Sequence, residues 1–226
     1  MTIKIKIMKK LLLAIALASA SAAQATLYTT NWNSGFANGG TVPDNNFSGW
    51  SDTRNVSAIP AGTFTSLSVN LQLSGGWNGD LYAYLVHDSG FTVLLDHVGT
   101  GVGGVSAFGY GDSGMNVTLS SSGTSIHQYG GGSTFSGVPT GTFQTDNTSG
   151  SLASFLSTSP NGTWNLFVAD TSGGGVSTVQ SWGLQMDIVA VPEVETWVAA
   201  ALAGAFGAFW LNRQLLQSSK RNANKS

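Results

Sequence analysis

The chain has no cysteine, and between Leu11 and Asn212 its only permanent cation is Arg54. Without disulfides, core packing or a bound metal has to stabilise the fold. Without a basic face, phosphate neutralisation fails, so nucleic acid is excluded as a partner. Glutamate is also missing from Thr26 to Ala190. That stretch holds nine Asp against Arg54, a charge of about −8, all of it on short side chains. No interior segment carries a useful 3.6-residue apolar period. No G-x-S-x-G elbow occurs. His87, His97 and His127 are the only histidines, and their spacing gathers neither a metal site nor a triad. They read as ordinary strand and turn residues, and no catalytic residue is assigned.

What is present begins with the two ends. Lys4, Lys6, Lys9 and Lys10 precede an apolar stretch, Leu11 to Ala20, and a small-x-small site, Ala23-Gln24-Ala25. This is the pattern of a signal peptide over residues 1–25, cleaved before Thr26. At the other end an Ala- and Gly-rich apolar run, Trp197 to Leu211, is followed by Arg213, Lys220, Arg221 and Lys225. The run is expected to be a transmembrane helix held by its basic flank in the inner membrane, with the body outside. At ~1.5 Å per residue it reaches about 22 Å, so spanning a core of about 30 Å needs help from its flanks.

Between the ends, residues 26–190 form one domain, long enough for a real core. Its pattern is all-β. Phe64 to Leu73 alternates, with Leu67, Val69, Leu71 and Leu73 on one side and Ser66, Ser68, Asn70 and Gln72 on the other. Leu81–His87 and Phe91–Val98 are two more strands, joined at Asp88-Ser89-Gly90. Met115–Leu119, Thr163–Ala169 and Ser181–Val189 follow, with weaker candidates at Tyr28–Trp32 and Arg54–Ala58. Ser121–Ser159 is polar and reads as a long, partly irregular connection. Short strands joined by Gly-rich turns indicate a jelly-roll β-sandwich.

Trp164 and Trp182 lie in alternating strands and belong to the core. Trp50 and Trp77 lie in polar, Gly-rich turns. Each is either a stacking platform for a sugar or a cap on the sandwich edge. Gly99-Thr-Gly101-Val-Gly103-Gly104 fits the dinucleotide fingerprint and follows a strand, but no helix-forming sequence comes after it. It reads as a loop. Asp80 and Asp112 sit at strand ends or in Gly-rich loops, where carbonyls are free to join short carboxylates around calcium. The plainer alternative is that both only shape turns.

Two resemblances follow from these residues. Val191-Pro192-Glu193, the apolar helix and the basic end resemble the PEP-CTERM sorting signal over residues 191–226. That implies recognition by an exosortase-type membrane enzyme and delivery to the cell surface or extracellular matrix. The family's second proline is replaced by Val194. The body is similar to the P domain (P/Homo B domain) of proprotein convertases and bacterial subtilases. The matching pieces are Val42-Pro43-Asp44-Asn45, Gly79-Asp80-Leu81, Ser89-Gly90, Tyr110-Gly-Asp112, Asn161 to Asp170, and Ser181-Trp182-Gly-Leu184. The resemblance implies a jelly roll, with Asp80 and Asp112 at aspartates the family shares and calcium as a structural ion. The family's catalytic domain has no counterpart here, so none of its catalytic residues carries over.

The leading expectation is an exported, non-catalytic surface or matrix protein. One alternative is a carbohydrate-binding module for exopolysaccharide, stacking sugars on Trp50, Trp77 or Tyr82. Another is an accessory to a separate subtilisin-like protease. A hydrolase is the remotest, for want of a nucleophile–base pair.

Overall fold

The computed structural model describes residues 24–131, 135–146, 150–190 and 194–223. Two compact units emerge, Ala25–Val189 and a second that contains the C-terminal helix. Among the described residues there are ten strands: β1 (Ala25–Thr29), β2 (Asn46–Val56), β3 (Gly62–Gly75), β4 (Leu81–His87), β5 (Gly90–Asp96), β6 (Met115–Ser120), β7 (Thr124–Ser125), β8 (Thr140–Gln144), β9 (Gly162–Asp170) and β10 (Ser177–Ala190). One sheet has the order β1-β10-β3-β6-β8-β7 and the other β2-β9-β4-β5. The all-β expectation holds, and the strong strands lie where alternation put them.

Alternation explains the core. Leu67, Val69, Leu71 and Leu73 of β3 are buried, as are Trp164, Leu166 and Val168 of β9 and Trp182, Leu184, Met186 and Ile188 of β10. Each strand thus presents one apolar row to the other sheet. The two tryptophans are fully buried, and each indole N–H finds an acceptor. Trp182 Nε1 donates to Asp52 Oδ2 at 2.7 Å and Trp164 Nε1 to the Pro160 carbonyl at 3.1 Å. Arg54 shares that Asp52 carboxylate at 2.6 Å, donates to the Ser34 carbonyl and lies over the Phe36 ring. The body's one cation is thereby committed to its frame.

Three sequence expectations need correction. Trp50 is not a turn residue: it is buried in β2, packed edge-on to Phe36, with Nε1 donating to the Ala37 carbonyl. The Ser121–Ser159 stretch is more ordered than expected. Its described part contributes β7 and β8, which pair in parallel with each other, and β8 also pairs in parallel with β6. The transmembrane helix is the third. The tail does form one α-helix, α1 (Val194–Ala223), but no helix among the described residues is long and apolar enough to cross a membrane. The apolar run covers only the middle of α1, and its Ala and Gly residues add little hydropathy before Asn212 and Arg213 end it. Residues 1–23, with Ala23, and the sorting residues Val191, Pro192 and Glu193 lie outside the described residues. Ala25 opens β1 opposite Val189.

Candidate functional site

One end of the sandwich gathers the loops that matter. A 3-10 turn, Asn78–Asp80, joins β3 to β4. Gly79 is pressed against the Phe108 carbonyl and the Gly109–Tyr110 peptide, leaving no room for a Cβ. This contact brings the 106–111 loop against Asp80. Together they form a cleft of about 420 Å³ lined by Trp77, Asp80, Phe108, Tyr110, Ser172 and Gly173, among others. Trp77 is 45 % exposed and Phe108 80 % exposed. The Trp77 ring leans on Gly174, where an added Cβ would come within 2.8 Å of the indole. The ring is supported on one side and open on the other.

Beneath the cleft lies a concentration of oxygen. Asp80 is buried at its base, and burial raises its pKa, against His97, while Asp44 adds to the rise. Asp170 ends β9 opposite Leu81 of β4 and Asn46 of β2. It follows Trp164, Leu166 and Val168 on the inward row and is 0 % exposed. Neither carboxylate oxygen has a hydrogen bond of normal geometry, nor has the buried Ser177 hydroxyl or the Asn78 Oδ1 atom. Burial pushes the Asp170 pKa up to about 6. The Asp80 and Asp44 charges add to that, and the nearby Ser172 amide and Ser177 hydroxyl relieve it only in part.

Asp112 is arranged differently. Its carboxylate accepts from Tyr129 Oη at 2.7 Å and from Asn78 Nδ2 at 2.8 Å. Burial raises its pKa, and these two bonds oppose the rise. Asn78 Nδ2 also donates to the Gly114 carbonyl, which fixes the amide's orientation. The structure therefore brings Asp80 to Asp170 and Asp44, and gives Asp112 its own hydrogen-bonded setting across Asn78. Among the described residues no three His, Cys, Asp or Glu side chains form a group that could hold a metal ion. Any ion here needs neutral oxygens as well.

The histidines tie loops to strands. Both ring nitrogens of His87 face carbonyls, of Thr163 and Ser159, and its ring stacks on Trp164. His127 Nδ1 accepts from the Gly99 amide, and Nε2 contacts Asp146 Oδ2. The Gly99–Gly104 segment is a loop, as its sequence implies. Asp96, His97 and Thr171 stand in a triad-like row, with His97 Nδ1 2.7 Å from Asp96 and Nε2 2.8 Å from Thr171 Oγ1. Sequence spacing gave no sign of this row. The Thr171 hydroxyl, however, donates to the Asp80 carbonyl at 2.9 Å, and the Thr171 amide donates to the same oxygen. The Thr171 hydroxyl thus lies within hydrogen-bond distance of both His97 Nε2 and the Asp80 carbonyl. The row clamps the Thr171 loop onto Asp80.

No family model and no curated protein matches the chain. Two solved structures do. One is the Aeromonas sobria serine protease in complex with the chaperone ORF2, at 18 % identity and TM-score 0.41, covering 79 % of this chain and 30 % of that one. The other is the serine protease of Aeromonas sobria, at 17 % identity and TM-score 0.42, covering 76 % of this chain and 29 % of that one. The chain spans less than a third of the length of either. The P-domain and PEP-CTERM readings stay resemblances.

Proposed function

We propose that this is an exported, non-catalytic surface or matrix protein whose sandwich binds polysaccharide through the Trp77–Phe108 cleft. The observation that carries this reading is the pairing of an open, supported indole with a carboxylate at the base of the same cleft. An exposed ring offers its face to the C–H face of a sugar, and a carboxylate accepts from sugar hydroxyls. The acidic body favours a neutral glycan over an anionic one. Trp50 has no open face, so the stacking role falls to Trp77. Export rests on the signal-peptide pattern of residues 1–25, and surface delivery by an exosortase-type enzyme rests on the PEP-CTERM-like order of residues 191–226.

Probing a glycan array with the full chain tests the binding role. Trp77→Ala should abolish the signal with the circular dichroism spectrum unchanged, because Trp77 is half-exposed and outside the core. A positive array indifferent to Trp77→Ala would move binding elsewhere.

A further inference from the structure

Six Asn-x-Ser/Thr triplets occur in the chain, at Asn46, Asn55, Asn116, Asn147, Asn161 and Asn224. Such a triplet accepts N-linked sugar where it lies on an open surface loop of a secreted protein. The fold separates the six. Asn147 and Asn224 lie outside the described residues. Asn161 has spent its amide: Oδ1 accepts from the Ile59 N–H and Nδ2 donates to the Ile59 carbonyl. Asn55 and Asn116 sit inside the ladders of β2 and β6, opposite Thr163 and Gln72. The middle residues of their triplets, Val56 and Val117, belong to the core. A transferase cannot wrap a segment whose central side chain is buried under the sheet.

Asn46-Phe47-Ser48 differs in each respect. Among the described residues it is the one such triplet with all three residues exposed. The β2–β9 register shifts between Asn46 and Trp50, so Phe47 and Ser48 stand out of the ladder. Gly49, at φ +57°, returns the chain to it; a Cβ there would strike the Val168 carbonyl and the Phe167 ring, each at 2.6 Å. The Ser48 amide donates to Asn46 Oδ1 at 2.8 Å, drawing the acceptor amide and the hydroxyl residue into one tight turn. That bond uses the oxygen and leaves Nδ2 unspent. Phe47 is 77 % exposed. A sugar on Asn46 would lay its C–H face against that ring and cover it. Asp44, also exposed, stands two residues before Asn46, and no other triplet has a carboxylate in that place. It offers a cationic side chain of the transferase a charge-assisted contact.

We propose that Asn46 is an N-glycosylation site. The donor is a sugar activated as its phosphate or pyrophosphate ester, and a transferase of the export compartment delivers it. Asn46 Nδ2 bonds to the anomeric carbon of the sugar. The bond from that carbon to the ester oxygen breaks, and the phosphate leaves with the electron pair. Nδ2 gives up one proton to the transferase, and nothing is oxidised or reduced. The proposal rests on the export reading and is independent of the Trp77–Phe108 cleft.

The test uses the full chain recovered from its producer, with N-terminal sequencing to report export separately. Trypsin cuts the body once, after Arg54, so the peptide Thr26–Arg54 contains Asn46 as its only triplet. Mass spectrometry should find that peptide heavier than its sequence by whole sugar residues, with fragmentation placing them on Asn46. Asn46→Gln and Ser48→Ala should each return it to its sequence mass, and Asn55→Gln should leave the addition in place. Both variants of the triplet alter exposed side chains, so their Tm should match that of a wild-type chain made without the sugar. A chain that starts at Thr26 and gives an unmodified peptide overturns this site alone. An addition that survives Asn46→Gln also overturns it, and a retained Met1 with an unmodified peptide overturns the export reading and the site together.

Discussion

His127 is held from two directions whose demands differ. Its Nδ1 accepts from the Gly99 amide, which requires an unprotonated nitrogen, while Nε2 faces the Asp146 carboxylate. The hydrogen bond to Asp146 raises the His127 pKa against the effect of burial, and the Asp146 and Asp96 charges add to the rise. The protonated pair therefore stabilises the fold most fully below the ordinary imidazole pKa, and loses that contribution as pH rises through the raised value. Protonation also fills Nδ1 and releases the Gly99 amide. The Gly99 protection factor in hydrogen exchange should fall as pH drops from 8 to 5, with the rest of the β5–β6 region unchanged. A protection factor constant across that range would contradict the tether. The partners of these histidines were invisible in the sequence because they come from distant loops. Asp170 drew no expectation, although the two-residue period through Trp164, Leu166 and Val168 continues to it and puts it on the inward row. Asp80 and Asp112 were each placed correctly in loops, but one-dimensional spacing could not show that Asn78 separates their surroundings.

At the scale of elements, alternation located the strands whose inward rows are wholly apolar and caught only the end of β2, from Arg54. The inward row of β2 runs Trp50, Asp52, Arg54 and Val56, so an internal ion pair breaks its hydrophobic period. The same pair explains the misplacement of Trp50. β7 and β8 are short and partly exposed, and they pair in parallel, so neither an alternating apolar row nor a hairpin turn announced them. The C-terminal helix was legible as a helix, whereas its crossing of a membrane was not supported by its hydropathy. The join between β3 and β4 is the element that builds the cleft, and Gly79 is its tightest point. Gly79→Ala should cost about 1–3 kcal/mol, the usual range for overpacking. Its methyl would drive the 106–111 loop off the 3-10 turn. Urea denaturation measures the cost, and a midpoint equal to wild type would show that the two backbones are not in forced contact.

For the whole molecule, the Ala25–Val189 unit is a sandwich of two sheets. The export reading predicts a mature N-terminus at Thr26. Cleavage there would leave Thr26–Thr29 of β1 paired with β10. N-terminal sequencing of secreted protein checks this, and a retained Met1 would refute it. The all-β class was readable because most inward rows are regular. Function was less readable because the cleft is assembled from residues that are distant in sequence, Trp77, Phe108 and Ser172, and only Trp77 stood out beforehand.

The most direct measurement is affinity electrophoresis of the full chain through gels containing the producer's own exopolysaccharide, wild type beside Phe108→Ala and Trp77→Ala. The cleft account predicts retardation of the wild type and at least a ~10-fold weaker dissociation constant for each variant, as expected when a stacking contact of about 1–3 kcal/mol is lost. Equal retardation of all three proteins, or none for the wild type, would contradict it.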